Sequence, residues 1–197
     1  SIKLQKMKTS SILLPTNGKP LQSDNVFVIN SIVDLNVLTF GVPSRKGLDK
    51  AIISNEKIVN IVSNRYGHLP NEALFGQVDQ RLNDAGIEYV KRSINRDDCS
   101  FAVDYIMTNP ANSFNLKGED NIKPMLRFTN SYDGSCKTAG SFGYFRQVCS
   151  NGLHVAKHVK GFAVKHTSSI CEVVLPEMKS LFNEFLNNDH YELIKKF

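Results

Sequence analysis

Short apolar runs alternate with polar turns along most of the chain, a pattern that predicts more strands than helices. Two runs rich in Ile and Val, residues 50–54 and 57–63, flank the polar pair Asn55-Glu56 and predict a β-hairpin. Further strands are expected at residues 26–29, 34–40, 87–94, 99–107, 124–130 and 135–144. The pair Asp133-Gly134 favours a tight hairpin turn between the last two of these strands.

Helical spacing of apolar residues follows Pro70, which suits the first turn of a helix, and Gly86 provides a left-handed cap at its end. One or two C-terminal helices are predicted for residues 176–197. Residues 146–160 are predicted as a further helix, with a break or cap at Ser150-Asn151-Gly152. Residues 108–122 are polar and predict a surface loop.

This order of elements predicts an α+β fold: an antiparallel sheet of hairpins with a central helix and a C-terminal helix. The chain has 197 residues, of which 41% are hydrophobic, and this size suits one domain. We expect an N-terminal basic arm at residues 1–24, because lysines occur there without an acid before Asp24, and a single α+β domain at residues 25–197.

The sequence contains no apolar run of about 18 residues, so no membrane-spanning helix and no membrane partner are expected. The first apolar stretch, residues 12–14, is too short for the core of a signal peptide, and a cytoplasmic location is expected. The four cysteines are far apart and form no CxxC pair, which favours free thiols over disulfides or a zinc site.

Charge is unevenly distributed. The formal net charge is +5, and residues 134–171 contain no Asp or Glu although the whole chain has 19 acids. The same stretch contains five lysines and arginines and three histidines. A local positive field of this kind attracts phosphate groups.

Catalytic patterns are missing from the sequence. No phosphate-binding loop occurs, and a helical His154–His158 pair would lack the Glu that a zinc protease places after its first His. Cys149 and His154 have no evident third partner. We therefore expect no enzyme activity, no cofactor and no metal.

Aromatic residues are interleaved with the basic ones, a mixture that suits single-stranded nucleic acid because rings stack on bases while cations follow the backbone. The predicted nucleic-acid-binding residues are Lys137, Phe142, Tyr144, Arg146, Lys157, His158, Lys160 and Lys165. The alternative is that the aromatic rings fill the core and the lysines form a solvated surface.

Three segments carry a resemblance to a known family: Tyr132-Asp133-Gly134-Ser135, residues 145–153 (Phe-Arg-Gln-Val-Cys-Ser-Asn-Gly-Leu) and residues 62–68 (Val-Ser-Asn-Arg-Tyr-Gly-His). The chain resembles, over roughly residues 48–170, the phage/plasmid-like family of bacterial, plasmid and phage proteins labelled a domain of unknown function. It departs from that pattern at Tyr132, where His is usual. The resemblance implies a mobile-element setting and DNA metabolism, and it supplies no catalytic residues.

A weaker likeness concerns the strand-turn-strand around Asp133-Gly134, then Gly143 and the predicted basic helix, which are similar to elements of single-strand annealing recombinases. The sequence thus predicts a phage- or plasmid-type protein that binds or anneals single-stranded DNA in replication or recombination, as a homo-oligomer. One alternative is a protein-interaction module, such as a phage inhibitor of a host enzyme, with its basic face on an acidic partner. A hydrolase that uses Cys149 or a histidine is the other.

Overall fold

The computed structural model describes residues 15–16, 19–20, 30–34, 47–109, 114–115, 121–147 and 154–195. In these residues two antiparallel sheets, a short two-stranded pair and three helices form an α+β fold, which confirms the predicted fold class. The residues between the described ranges include the predicted strand at 26–29 and most of the one at 34–40, which therefore lie outside the description.

The first strands are short. β1 (Pro15–Thr16) pairs with β2 (Lys19–Pro20), and β3 (Asn30–Asp34), β4 (Lys50–Ser54) and β5 (Lys57–Val62) form a three-stranded sheet. The predicted hairpin β4–β5 is confirmed. Asn55 and Glu56 at its turn have positive φ angles of 48° and 66°, the turn geometry that matches the twist of a two-residue hairpin.

Helix α1 (Asn71–Asp84) is confirmed as predicted. Pro70 precedes its first turn, and Gly86 follows its end with a φ of 65°, a conformation that glycine adopts without strain. The helix buries one apolar face, formed by Leu74, Phe75, Val78 and Leu82.

The large sheet carries most of the molecule. Its strands are β6 (Tyr89–Arg96), β7 (Ser100–Met107), β8 (Phe114–Asn115), β9 (Asn121–Ser131), β10 (Thr138–Gln147) and β11 (His154–Val164). The spatial order is β11-β10-β9-β7-β6, and β8 pairs with the start of β9. The β6–β7 and β9–β10 hairpins confirm the predicted strand pairs, whereas β8 lies in the stretch predicted as a loop.

The predicted helix at residues 146–160 is wrong in its described parts, residues 146–147 and 154–160, and its predicted break at Ser150-Asn151-Gly152 lies outside the described residues. Strand β10 extends to Gln147, and β11 begins at His154 and pairs with β10 along its whole length. Val155 and Val159 are β-branched and prefer a strand when a partner strand is present. That pairing is between two consecutive strands and depends on their alignment rather than on apolar spacing within one segment, so local spacing did not reveal it.

The C-terminal helices are α2 (Ile170–Asn187) and α3 (His190–Ile194). Helix α2 begins six residues before Pro176, so the predicted start is wrong. Pro176 lies on the exposed side of the helix, where the loss of its N–H leaves the Glu172 carbonyl accessible to water.

Helices α1 and α2 pack on the same face of the large sheet. The Phe128 ring stacks on Phe182 of α2 with centroids 6.2 Å apart, and Phe142 meets Phe185 edge to face at 6.0 Å. On the α1 side, the Tyr105 hydroxyl donates to the Phe75 carbonyl at 3.3 Å. The main hydrophobic core therefore lies between this face and the two helices.

Gly140→Ala is expected to destabilise the fold, because an added Cβ would lie 2.6 Å from ring carbons of both Phe128 and Phe162. Overpacking of this kind costs about 1–3 kcal/mol. Gly76→Ala is the control: nothing lies within 4 Å of its Cβ position in α1, and it should gain about 0.5–1 kcal/mol. Urea unfolding measures both changes. Equal effects of the two variants would contradict the close packing at Gly140.

Candidate functional site

Strand alternation assigns the side chains of β10 to two opposite faces. Phe142 and Tyr144, two of the predicted binding residues, both face the helices and are each 1% exposed. The Phe142 ring packs on Phe185, and the Tyr144 hydroxyl lies 2.9 Å from Nδ1 of His190. These two rings are core residues and do not lie on the surface where a base would stack.

The predicted basic residues do not gather in one groove. Lys160 pairs across the strands with Phe142, so it faces the helices, where its Nζ forms an ion pair with Glu184 of α2. Arg146 is exposed near the far end of β10, about 30 Å from Lys137 at roughly 3.3 Å per residue. The Lys157 and His158 side chains lie outside the described residues, although both belong to β11.

Lys137 and Lys165 are brought together. Thr138 pairs with Val164, so the two lysines are neighbours at the open end of the β10–β11 pair, and both are exposed. They line a cavity of about 450 Å³ at the tip of the β9–β10 hairpin. We call it the tip cavity, and its lining residues are Gly134, Ser135, Cys136, Lys137, Lys165 and His166.

The sheet face opposite the helices is called the open face here. Between β9, β10 and β11 it contains a shallow depression of about 550 Å³, with a floor of small residues that includes Ala139, Ser141, Gly161 and Ala163. Basic side chains surround this floor. They are Arg92 on β6, Lys123 and Arg127 on β9, and Lys137 and Lys165 at the end near the tip cavity.

One acid, Asp104 on β7, lies on this face among the described strands, and it is 1% exposed. Arg92 donates to its Oδ2 from Nε at 3.1 Å and from Nη2 at 2.8 Å. Arg127 donates from Nε to Oδ1 at 2.5 Å and from Nη2 to Oδ2 at 2.8 Å. The hydrogen bonds to Asp104 raise the pKa of Arg127. The cluster holds two fixed guanidinium groups and a net positive charge.

An aromatic ring is part of this cluster. The guanidinium carbon of Arg92 lies 5.9 Å from the ring centroid of Phe145, a cation–π distance. Phe145 is half-buried and pairs with Lys123 of β9 on the open face. It follows Tyr144 by one position, and that single step moves it from the core face to the open face.

Two of the segments that carry the family resemblance meet beside the tip cavity. Tyr66 stacks on His166 with centroids 5.2 Å apart and planes inclined by 2°, and His68 contacts Tyr132 at 5.2 Å. The Tyr132 hydroxyl accepts the N–H of Asn71, at the start of α1, at 2.8 Å. Tyr132, where the sequence departs from the family pattern, is thus a buried anchor for α1.

Burial changes the ionisation of this cluster. Desolvation raises the pKa of Tyr66 to about 12, with the nearby Asp133 acting in the same direction. Desolvation, with a smaller contribution from His166, lowers the pKa of His68 to about 4. The pKa of His166 is also lowered by burial. Both histidines are therefore neutral near pH 7.

Sequence reasoning missed Arg92, Arg127 and Lys123, since cross-strand pairing rather than any local motif brings them to the open face. Among the described residues, no cluster of three or more His, Cys, Asp or Glu side chains has the arrangement of a metal site. The helices in the described ranges are all too short or too polar to span a membrane.

Fold and site together define an α+β protein with an antiparallel sheet that is covered by helices on one face and basic on the other. The chain belongs to the family described as a domain of unknown function (DUF932), whose model matches residues 59–188, about two thirds of the sequence. No curated protein and no solved structure matches the chain. The matched range runs from β5 to the end of α2 and includes both the open face and the tip cavity.

Asp104→Asn is expected to destabilise the protein by about 2–3 kcal/mol, because it weakens four charge-assisted hydrogen bonds and leaves two half-buried guanidinium groups without a counter-charge. Glu192→Gln is the control, since its ion pair with Lys195 is exposed and should contribute less than about 1 kcal/mol. Chemical denaturation followed by circular dichroism measures the difference. If Asp104→Asn lowers the unfolding free energy no more than Glu192→Gln does, the structural role of Asp104 is refuted.

Stability should decrease as the pH falls from about 6.5 to about 4, because the unfolded chain binds protons on His68 that the folded chain does not bind. The lowered pKa values of His166 and His190 act in the same direction. Between about pH 7.5 and about pH 5, the His68→Asn variant should lose less unfolding free energy than the wild type, by on the order of 2 kcal/mol. Urea unfolding at the two pH values tests this, and an identical loss in both proteins would disprove it.

Proposed function

We propose that this protein binds single-stranded DNA across the open face of its large sheet. The observation that carries the proposal is the charge of that face: five basic side chains surround the depression, and the one acid on this face among the described strands, Asp104, is itself held by two arginines. Phosphates are attracted to such a surface, and their counterions are released on binding.

The floor of the depression suits the flat, unpaired bases of a single strand. Ala139, Ser141, Gly161 and Ala163 have short side chains, so bases can approach the sheet closely, while cations at the rim can follow the backbone. Phe145 supplies an aromatic surface on the same face. Antiparallel sheets that carry aromatics on one face are a recurrent platform for single strands.

The resemblance to phage and plasmid proteins, and the weaker likeness to annealing recombinases, support a role in the replication or recombination of mobile DNA. In this proposal the protein acts in the cytoplasm and anneals strands as a homo-oligomer. An oligomer would extend the open face of one protomer into a longer track, which suits the length of a DNA strand.

Replacing Lys123, Lys137 and Lys165 together by Gln should weaken binding to a fluorescent single-stranded oligonucleotide and reduce the salt dependence of its affinity. At about 0.7 per phosphate contact, the slope of log K against log salt should fall by about 2. Fluorescence anisotropy between about 50 and 200 mM salt measures the slope.

Lys160→Gln is the matched control, because Lys160 lies on the same sheet but faces α2 and is paired with Glu184. Its salt slope should equal that of the wild type. Absence of binding at low salt, or equal slopes for the triple variant and the wild type, would refute the proposal. The basic face would then be assigned to an acidic protein partner instead.

A further inference from the structure

The tip cavity differs from the rest of the open face because two lysines face one concave site. Lys137 and Lys165 are neighbours across the β10–β11 pair, and both line the cavity with Ser135 and Cys136. His166 forms part of its wall. An anion in this cavity would meet two cations and a histidine ring together.

Behind that wall, a chain of buried hydrogen bonds determines which side-chain atoms of Asn130 and Thr138 donate and which accept. Nδ2 of Asn130 donates to the Leu69 carbonyl at 2.8 Å and to Asn71 at 2.9 Å, so Oδ1 of Asn130 must be the acceptor. The Thr138 hydroxyl donates its single proton to that oxygen at 2.9 Å. Asn130 and Thr138 are fully buried, so water does not offer the hydroxyl a different partner.

Because of these hydrogen bonds, the neutral ring of His166 has one proton but two neighbouring acceptors. Its Nδ1 lies 3.2 Å from the Gly67 carbonyl, which can only accept, and we assign the single proton of the neutral ring to Nδ1. Its Nε2 lies 3.3 Å from the Thr138 oxygen, whose proton already points to Asn130. Two acceptors therefore face each other, and only protonated His166 can donate to both neighbours.

Burial explains why His166 is neutral without a ligand, because desolvation lowers the pKa of its ring, while the hydrogen bond to the Gly67 carbonyl acts in the opposite direction. Tyr66 stacks on the ring, and His68 lies close enough to disfavour a second positive charge. Lys137, Lys165 and Cys136 line the cavity beside it, and Asp133 lies close enough to contribute to the raised pKa of the stacked Tyr66. A bound dianion would stabilise the positive charge of a protonated ring, and the hydrogen bond from Nε2 of His166 to Thr138 would then form.

We infer that the tip cavity binds a terminal phosphate of a nucleic-acid strand and that His166 takes up a proton when it does. The inference rests on the proposed function and names the part of the strand that the cavity recognises. A terminal phosphomonoester carries about −1.5 to −2 charges, against −1 for an internal phosphodiester, and so matches two lysines better. The proton comes from solvent and is released again when the strand leaves.

Oligonucleotides of one sequence with a phosphate at the 5′ end, at the 3′ end or at neither end test the first part. The wild-type protein should bind one phosphorylated form about tenfold more tightly than the form without a terminal phosphate, and more so at about pH 6 than at about pH 8. Lys137→Gln with Lys165→Gln should abolish this preference, while Lys160→Gln should retain it. Equal affinities for all three forms would overturn the inference and leave the proposed function standing, whereas no binding of any form would overturn both.

Ring proton shifts in NMR titrations of the wild-type protein test the second part. Inorganic phosphate should raise the pKa of His166 and leave that of His190 unchanged. His190 is a matched internal control, because it too is partly buried and bonded to a backbone carbonyl, that of Phe185, but lies away from the cavity. A pKa of His166 that does not respond to phosphate, or to the phosphorylated oligonucleotide, would overturn the proton uptake.

Discussion

Helices α1 and α2 cover one face of the large sheet, and this one-sided packing sends each side chain of β9, β10 and β11 either into the core or toward solvent. Phe128, Phe142 and Phe182 join the sheet to α2, and each buried ring contributes about 2–3 kcal/mol from removal of apolar surface. Because alternate residues are committed to this core, the residues between them are available for a surface function. The chemistry of the open face is thus a consequence of how the core is built.

A second constraint operates at the tip of the hairpin, where the buried side chains of Asn130 and Tyr132 need hydrogen-bond partners. Asn130 bonds to the segment that enters α1, and Tyr132 accepts the N–H of Asn71 from the same region. Loss of either partner would leave a buried polar group unpaired, at about 1–3 kcal/mol each. This network fixes α1 against β9 and lies directly behind the wall of the tip cavity, where Thr138 connects Asn130 to His166. The hydrogen bonds that hold α1 against β9 therefore also support the tip cavity.

Features set by local conformational preferences were predictable from the sequence, and several of those set by strand pairing were not. The turn at Asn55-Glu56 and the helix between Pro70 and Gly86 follow from local conformational preferences, and both are confirmed. The segment at 146–160 has a spacing compatible with a helix, but its described parts belong to strands: residues 146–147 end β10, and residues 154–160 belong to β11, which pairs with β10. The basic patch was only partly predictable for the same reason, since Arg92 and Arg127 reach the open face through pairing with β7.

The alternation of side chains along a strand separates the aromatic residues of β10 into a buried pair and an open-face ring. Phe142 and Tyr144 differ by two positions and must share one face of a strand, whereas Phe145 must lie on the other. The pairing of Tyr144 and Phe145 with Pro124 and Lys123 of β9 then indicates which face is which, because a charged lysine belongs with solvent. Lys160 and Lys165 also lie on opposite faces, because they are five residues apart. Lys160 pairs with Phe142 and shares its face, whereas Lys165, just beyond the end of β11, lies on the open face. Within the acid-free stretch, strand register rather than charge alone thus decides which cations can meet a phosphate.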